Sequence, residues 1–347
     1  MTDKKPEKAD IIAVAKAAKV SASTVSRSFN HPELVNPATR RRIQRAVERT
    51  GYIRNRAAQS IHGRRSATVG LVVPTINHAI FAEVIQAFSD AIDRAGFTLL
   101  IASHSYNLDR EYDMIRKLLE HRVDGVALIG LEHSEATFNL LEQQAIPALA
   151  IWNYAEASPM PCVGASNIEA GRLAAQHLTA IGHRQIGLIF PGTDGNDRAL
   201  DRRAGALQVL GAAGADLRED WNVTAPYSIA QAKAAAARVL SQDIRPSALL
   251  CGNDVLAQGA LYAAHGCGLR VPEDVSIIGI GDFKGSGDIE PGLTTIAIPA
   301  TEIGTLAGER FVEYITADTR EMFRVSCALQ TVVRGTTQAR AAGRAQT

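Results

Sequence analysis

The chain has 347 residues, more than one ordinary core requires, so its length predicts two or three domains. It is 46% hydrophobic and 21% charged, which is typical of soluble globular proteins. No stretch approaches the roughly 18 consecutive apolar residues of a membrane span. Because the charged segment 1–10 lacks the apolar core of a secretory signal, we expect a cytoplasmic protein.

Basic charge is concentrated at the N-terminus. Residues 1–64 hold 14 Lys and Arg against 5 Asp and Glu, a net charge of +9, whereas residues 65–347 hold 23 against 31, a net charge of −8. A small basic module joined to a larger acidic body favours binding of a polyanion by the first module.

Start and stop signals in the basic module predict three short helices. Asp10, Ser21 and Asn36 are typical N-cap residues, and each precedes apolar residues at helical spacing. A tight turn at Lys19 joins the first two helices, and Gly51 ends the third. Three short helices joined in this way are typical of a helix-turn-helix unit.

Strands and helices alternate from residue 67 onward. The strand-like runs are Val69–Val73, Thr98–Ala102, Val126–Ile129, Ala148–Ile151, Ile186–Phe190, Ala248–Cys251 and Val275–Ile280. The helical stretches are Ile80–Ala95, Asp109–His121, Ile168–Ile181, Asp197–Gly214, Ile229–Ser241 and Asp254–His265. This alternation predicts two lobes with parallel sheets and helices on both faces, and a ligand crevice at the carboxyl ends of the strands.

The run Val20–Arg27 (VSASTVSR) resembles the helix-turn-helix signature of the LacI/GalR family of bacterial regulators. The likeness covers residues 10–63 and continues to about 336 through markers in the α/β region. These markers are Val163–Asn167, Ala170-Gly171, His177-Leu178, Gly182-His183, Asn253-Asp254, Val271–Ser276, Gly279 and Leu293–Ile296. The resemblance implies a small all-α helix-turn-helix head and an α/β two-lobe core of periplasmic-binding-protein type.

The resemblance also sets the expected domain bounds. Residues 1–54 would form the head, with 1–8 disordered, and 55–66 the hinge helix and linker. The core would occupy 67–336 and bind the effector, with 337–347 a disordered tail. Lobe 1 would hold about 67–165 and 297–328, and lobe 2 about 166–296 and 329–336. The hinge segment is only about two turns long, so we expect it to be mostly unfolded in isolation.

The second helix would read the DNA. Ser21 and Thr24 would offer hydroxyl and amide groups to phosphates. In the family, the positions of Ala22, Ser23 and Arg27 face the bases. Arg27 is the best candidate for a bidentate contact with guanine, although a plain phosphate contact is the alternative.

The remaining DNA-binding candidates are Asn30, Asn55, Ala58 and Ile61. Ile61 occupies the position of the family's hinge leucine, which inserts between base pairs in the minor groove. The alternative is that Ile61 packs on its own head.

Two positions depart from the family pattern. Lys19 replaces the usual glycine of the turn, which forces a non-glycine residue into a conformation that glycine adopts more easily. Arg54 replaces the usual proline before the hinge and adds a charge that would seek phosphate.

The effector candidates follow strands or match family positions: they are Asn77, Phe81, Trp152, Arg202, Asn253 and Asp282. A few polar groups in an apolar cleft are what a small-molecule site requires. Phe81 and Trp152 have a packing role as their alternative, and Asp282 has loop capping. Arg202 matches the family arginine that grips ligand oxygens.

Gly281 occupies the position where many sugar-sensing members carry an aspartate. Removing a carboxylate lowers the repulsion toward an anionic ligand. Together with Ile80–Ala82 and Val163-Gly164, this substitution resembles the gluconate-utilisation branch and favours a sugar acid as effector.

The resemblance implies a repressor that binds a palindromic operator as a homodimer and is controlled by the effector. Ligand-relieved repression is the commoner family mode, and no C-terminal leucine heptad favours tetramers. A solute-binding protein with the same core is the alternative, but it would need an export signal and no basic head.

Catalysis and metal binding have no pattern in their favour. The sequence lacks a P-loop, a G-x-S-x-G elbow and an H-E-x-x-H motif, so we predict no enzyme and no cofactor. The four cysteines have no metal-ligand spacing, and we expect Cys162, Cys251, Cys267 and Cys327 to be buried, unpaired thiols.

Overall fold

A computed structural model describes residues 9–54, 65–77, 79–317 and 319–340. The chain divides into two compact units between Ser66 and Ala67. The hinge candidates Asn55, Ala58 and Ile61 lie outside the described residues. No helix within the described ranges is long and apolar enough to cross a membrane.

The first unit contains the three predicted helices: α1 (Ile11–Ala18), α2 (Ala22–Asn30) and α3 (Pro37–Thr50), with a 3-10 turn at Pro32–Leu34. All three predicted N-caps are confirmed, because Asp10, Ser21 and Asn36 each accept a hydrogen bond from a backbone amide of the helix that follows. The helices bury a small apolar core around Val14, Val25 and Ile43.

The second unit alternates strands and helices. Its strands are β1 (Thr68–Val73), β2 (Thr98–Ser103), β3 (Gly125–Ile129), β4 (Ala148–Asn153), β5 (Cys162–Ala165), β6 (Ile186–Phe190), β7 (Asn222–Thr224), β8 (Ala248–Cys251), β9 (Ser276–Gly281), β10 (Thr294–Ala297), β11 (Arg324–Ser326) and β12 (Gln330–Val332). Its helices are α4 (Ala79–Arg94), α5 (Leu108–Glu120), α6 (Glu135–Gln143), α7 (Asn167–Ala180), α8 (Asp197–Ala212), α9 (Ile229–Leu240), α10 (Asp254–Gly266) and α11 (Ala300–Thr316), with a 3-10 turn at Glu219–Trp221.

The strands form two six-stranded sheets, one in each lobe. The sheet of lobe 1 has the order β11-β5-β4-β3-β1-β2 and is parallel throughout. The sheet of lobe 2 has the order β12-β10-β9-β8-β6-β7 and is parallel except where β12 pairs with β10. The chain crosses between the lobes after β5, β10 and β11, so the predicted two-lobe α/β core with parallel sheets is confirmed.

The predicted strands and helices of the core are present within a few residues at each end. The elements that the pattern missed are β5, β7, β10, β11, β12, α6 and α11. Several of these strands have only three or four residues, too few for a periodic signal. Helix α11 contains Gly304, whose lack of a Cβ allows close packing on the backbone of Val84 in α4.

Two expectations were wrong. Residues 337–340 of the predicted disordered tail are held on lobe 2, because the amide of Gln338 donates to Ser276 Oγ and that of Arg340 donates to the carbonyl of Ile181. Cys267 is exposed at the end of α10, whereas the other three cysteines are buried thiols as predicted.

Candidate DNA interface and inter-lobe site

Helix α2 presents small polar groups at its N-terminus. Ser21 caps the helix by accepting from the amide of Thr24, and its hydroxyl lies 2.8 Å from those of Ser23 and Thr24. Ser23 and Arg27 are exposed, while Ala22 and Thr24 are partly buried. This helix end therefore offers hydroxyl groups and a helix dipole that an anionic backbone can contact.

The turn before α2 has the predicted strain. Lys19 adopts a left-handed conformation, with φ 53° and ψ 51°, and its amide donates to the carbonyls of Ala15 and Lys16. A side chain disfavours this region by about 1 kcal/mol or more, so the turn is formed against the preference of its residue.

Asn30 and Arg54 have partners inside the head. The amide of Asn30 donates to Ser26 Oγ and accepts from the Arg54 guanidinium. Arg54 also lies 5.5 Å from the ring centroid of Phe29, within cation–π range. Arg54 thus joins the end of α2 to the last described residues of the head.

Helix α3 adds exposed basic side chains to the head. Four exposed arginines lie on this helix between its first turn and its middle: Arg40, Arg41, Arg42 and Arg45. Exposed guanidinium groups can neutralise phosphates without reading sequence.

A pair of residues at the start of α8 joins the two lobes of the core. Asp197 Oδ2 accepts from the amide of Leu131 at 2.7 Å and from Asn153 Nδ2 at 2.8 Å, and both donors belong to lobe 1. Arg198 Nη1 donates to Asp197 Oδ1 at 2.7 Å and to the carbonyl of Ile129 at 3.2 Å. The lobes are therefore in direct contact at the carboxyl ends of β3 and β4.

Electrostatics around Asp197 follow from these partners. Burial alone would raise its pKa, but Arg198 and the hydrogen bonds hold the pKa below its ordinary value. Burial and the charge of Asp197 raise the pKa of the neighbouring acids Glu132 and Asp201. Asp197 is thus the acid of this group that the site keeps ionised most strongly.

Arg202 is buried one helical turn further along α8. Its Nε donates to Asn167 Oδ1 at 2.7 Å, and its Nη1 donates to the carbonyl of Gly252 at 3.0 Å. Asn167 in turn donates to Asn153 Oδ1 at 2.6 Å. Close packing of α7 on α8 fixes this geometry, since a Cβ at Gly171 would collide with the carbonyl of Arg202.

Three buried nitrogen donors near this contact have no hydrogen-bond partner among the described residues. They are Arg198 Nη2, Arg202 Nη2 and Trp152 Nε1. An unpaired buried donor costs about 1–3 kcal/mol, more when it is charged. An ordered water or a bound molecule that brings acceptor atoms would satisfy these donors.

Aromatic residues border the same region. Trp152 has φ 84° at the end of β4, and its ring meets that of Phe81 edge-on, with centroids 6.1 Å apart. Across the lobes, the rings of Tyr106 and Tyr227 lie 6.2 Å apart, and Tyr227 accepts from Asn196 Nδ2. Burial and the nearby Tyr227 raise the pKa of Tyr106, so its hydroxyl stays neutral.

The other predicted effector residues have different surroundings. Asn253 follows Gly252, the carbonyl partner of Arg202, and its own Oδ1 caps α10. Asn77 is exposed in the loop after β1. Asp282 forms a 2.7 Å ion pair with Arg334 and borders an open groove of about 630 Å³ beside the start of α11.

The structure thus brings Phe81 to Trp152 and Arg202 to the backbone next to Asn253. The sequence patterns did not assign a site role to Asn153, Asn167, Asp197 or Arg198. One signal was available, since Asp197 and Arg198 open a helix directly after a strand-to-helix loop, where ligands bind in such folds.

Comparison with known proteins identifies the family. The family model of bacterial regulatory proteins, lacI family, matches residues 11–55, and that of the periplasmic binding protein-like domain matches residues 175–337. The HTH-type transcriptional repressor PurR of Erwinia tasmaniensis is 32% identical over 310 residues, 89% of this chain and 91% of that protein. The chain belongs to the LacI family.

Solved structures agree with this LacI-family assignment. A lac repressor dimer bound to operator and the anti-inducer ONPF is 25% identical with a TM-score of 0.84, over 96% of this chain and 100% of that one. A complex of the transcriptional regulator CelR with cellobiose is 27% identical with a TM-score of 0.70, over 94% and 99%. This LacI-family chain is accordingly a DNA-binding transcriptional repressor with an effector-binding core, and these names do not confirm the gluconate branch.

Proposed function

We propose that this LacI-family repressor binds a palindromic operator as a cytoplasmic homodimer and is controlled by a sugar acid, such as gluconate, held between the lobes of residues 67–336. Arg198, Arg202 and Trp152 would hold the effector, with Phe81 and Asn253 beside them. Asn77 and Asp282 remain predicted members of the site from the edge of the cleft.

The unpartnered donors on two buried arginines carry the acid assignment. Guanidinium groups form their strongest hydrogen bonds with carboxylates, about twice as strong as those between neutral groups. An acid that accepts from Arg198 Nη2 and Arg202 Nη2 would satisfy both donors at once. Gly281 supports the same ligand, since no carboxylate stands at that position to repel it.

A neutral carbohydrate is the competing effector, because the regulator CelR was solved with cellobiose. Hydroxyl groups also accept from arginine, but a neutral ligand would bring no counter-charge to Arg202, whereas Arg198 is already paired with Asp197. The charge of the ligand therefore separates the two proposals.

Gluconate and glucose form a matched pair for the test, since they share a six-carbon chain and differ in charge. We expect gluconate to raise the thermal midpoint of the full-length protein by several degrees at 100 times its Kd, since binding then adds about 2.7 kcal/mol. Cellobiose completes the panel. Stabilisation by glucose or cellobiose with none by gluconate would refute the acid assignment.

On the DNA side, we propose that the start of α2 enters the major groove, with Ser21, Thr24 and Asn30 near the backbone and Ala22, Ser23 and Arg27 near the bases. Asn55, Ala58 and Ile61 would form the hinge helix within 55–66, as in the family resemblance. The Ser21 cap of α2 and the exposed arginines of α3 support a DNA-binding role for the head.

Binding of the purified protein to DNA upstream of its own gene, measured over a salt series, tests this part. We expect the logarithm of the binding constant to fall steeply and linearly with the logarithm of the salt concentration, and footprints on two symmetric half-sites. A single unpaired half-site, or binding that salt leaves unchanged, would contradict the proposal.

A further inference from the structure

Four side chains form an unbroken row of hydrogen bonds from the lobe contact to Arg202. Asn153 Nδ2 donates to Asp197 at 2.8 Å, Asn167 Nδ2 donates to Asn153 Oδ1 at 2.6 Å, and Arg202 Nε donates to Asn167 Oδ1 at 2.7 Å. We call these four residues the relay. Both asparagines are buried, so water does not compete for these bonds.

The relay has only one possible polarity. A carboxylate accepts only and a guanidinium donates only, so Asp197 at one end and Arg202 at the other fix the orientation of both amides between them. Bonds that point the same way in a low-dielectric interior also polarise and strengthen one another. A change in the hydrogen bonding at one end of the relay should therefore change the strength of the bonds at the other end.

The relay crosses the cleft twice. Asp197, Asn167 and Arg202 belong to helices of lobe 2, whereas Asn153 ends β4 of lobe 1. Separating the lobes would break both bonds of Asn153 together. Asn167 would then keep its bond from Arg202 but would lose its 2.6 Å acceptor, with only the carbonyl of Ala165, at 3.5 Å, left for its Nδ2. Its amide, and with it Nε of Arg202, would be held less firmly.

We propose that Asn153 and Asn167 are positioning residues that couple closure of the lobes to the aim of Arg202, so that Nη2 of Arg202 is presented to an acidic effector only in the closed core. The acidic effector in this statement rests on the proposed function. The coupling itself rests on the relay alone, because it links Asp197 to Arg202 whatever the ligand.

Each variant is tested by a measurement at the end of the relay that the substituted residue does not contact. Asn167→Leu removes the central amide without contacting Leu131, whose amide donates to Asp197. In the full-length protein without ligand, we expect hydrogen exchange at the Leu131 amide to become about tenfold faster. A change of this size corresponds to the loss of roughly one hydrogen bond. Asn222→Leu is the matched control, since Asn222 is exposed on β7 of lobe 2, and it should exchange as the wild type does.

Asn153→Leu is read by calorimetric titration with gluconate. No hydrogen bond joins Asn153 to Arg202, and Asp197 keeps its bonds to Leu131 and Arg198 in this variant. A purely structural role therefore leaves the affinity unchanged, whereas the relay predicts about tenfold weaker binding. Asn153→Ala removes the same amide with a smaller side chain, so it should weaken gluconate in the same direction and serves if Asn153→Leu does not fold.

The outcomes separate the two proposals. If the wild type binds no gluconate but Asn167→Leu speeds exchange at Leu131, the acid assignment fails and the relay stands. If exchange at Leu131 equals that of Asn222→Leu, or if gluconate binds the Asn153→Leu and Asn153→Ala variants as tightly as it binds the wild type, the relay is refuted.

Discussion

The head and the core build their candidate sites in opposite ways. In the head, the DNA-contact candidates between Ser21 and Asn30 are neighbours on one helix, and a single cap orients them. In the core, the relay joins β4, α7 and α8 through bonds that span 14 to 44 residues of sequence. The DNA-contact site therefore depends on one short stretch of sequence, whereas the relay depends on tertiary contacts between the two lobes.

The two sites also differ in how much water they exclude. Arg27 and Ser23 are exposed, so their groups are solvated until DNA displaces that water. Arg202 is buried, and each of its nitrogen atoms needs a partner in the protein or in a ligand. We therefore expect larger effects from single substitutions in the core than in the head.

The largest expected effect is at Arg202. Arg202→Met keeps most of the side-chain volume but removes the charge and all donors, so we expect gluconate affinity in a calorimetric titration to fall more than 100-fold, about 3 kcal/mol or more. Operator binding without effector should stay within about threefold of the wild type, because the head is a separate compact unit.

Arg202→Lys is the control for this prediction. Lysine keeps the charge but lacks the planar fork, so it should recover only part of the lost affinity. If Arg202→Met binds gluconate within tenfold of the wild type, single substitutions in the buried core site do not have larger effects than those in the exposed head.

The same contrast explains what could be predicted from the sequence. The caps Asp10, Ser21 and Asn36 and the strained turn at Lys19 were predictable because each depends on residues a few positions away. The order of the core elements was also predictable, since buried parallel strands are continuous apolar runs.

The relay was not predictable in this way. Asn153 lies at the end of an apolar run and Asn167 begins an amphipathic helix, and neither position has a periodic signal that distinguishes it from a cap. Asp282 illustrates the same limit, because its place after a strand predicts a cleft residue but gives no sign of its ion pair with Arg334. Partners chosen by tertiary contact leave no local pattern in a single sequence.

A smaller effect is expected at Arg27. If its guanidinium contacts a base, Arg27→Ala should weaken operator binding by about 1–3 kcal/mol and relax the preference at one base pair. A phosphate contact instead predicts uniformly weaker binding with a salt slope reduced by about one. Binding to a set of single-base operator variants distinguishes these outcomes, and unchanged binding to all of them would remove Arg27 from the interface.

The smallest expected effect is at Lys19, where the head places a non-glycine residue in a left-handed backbone conformation. Lys19→Gly relieves the left-handed strain but frees the unfolded chain, so we expect a net gain in head stability of at most about 1 kcal/mol. Both tryptophans lie in the core, so fluorescence does not report on the head, and amide exchange of residues 11–50 in the full-length protein is the measurement.

Lys16→Gly removes the same charge from within α1 and should destabilise the head by about 1 kcal/mol. If both variants destabilise the head equally, the backbone strain at Lys19 has no energetic consequence, and the turn tolerates lysine as well as glycine.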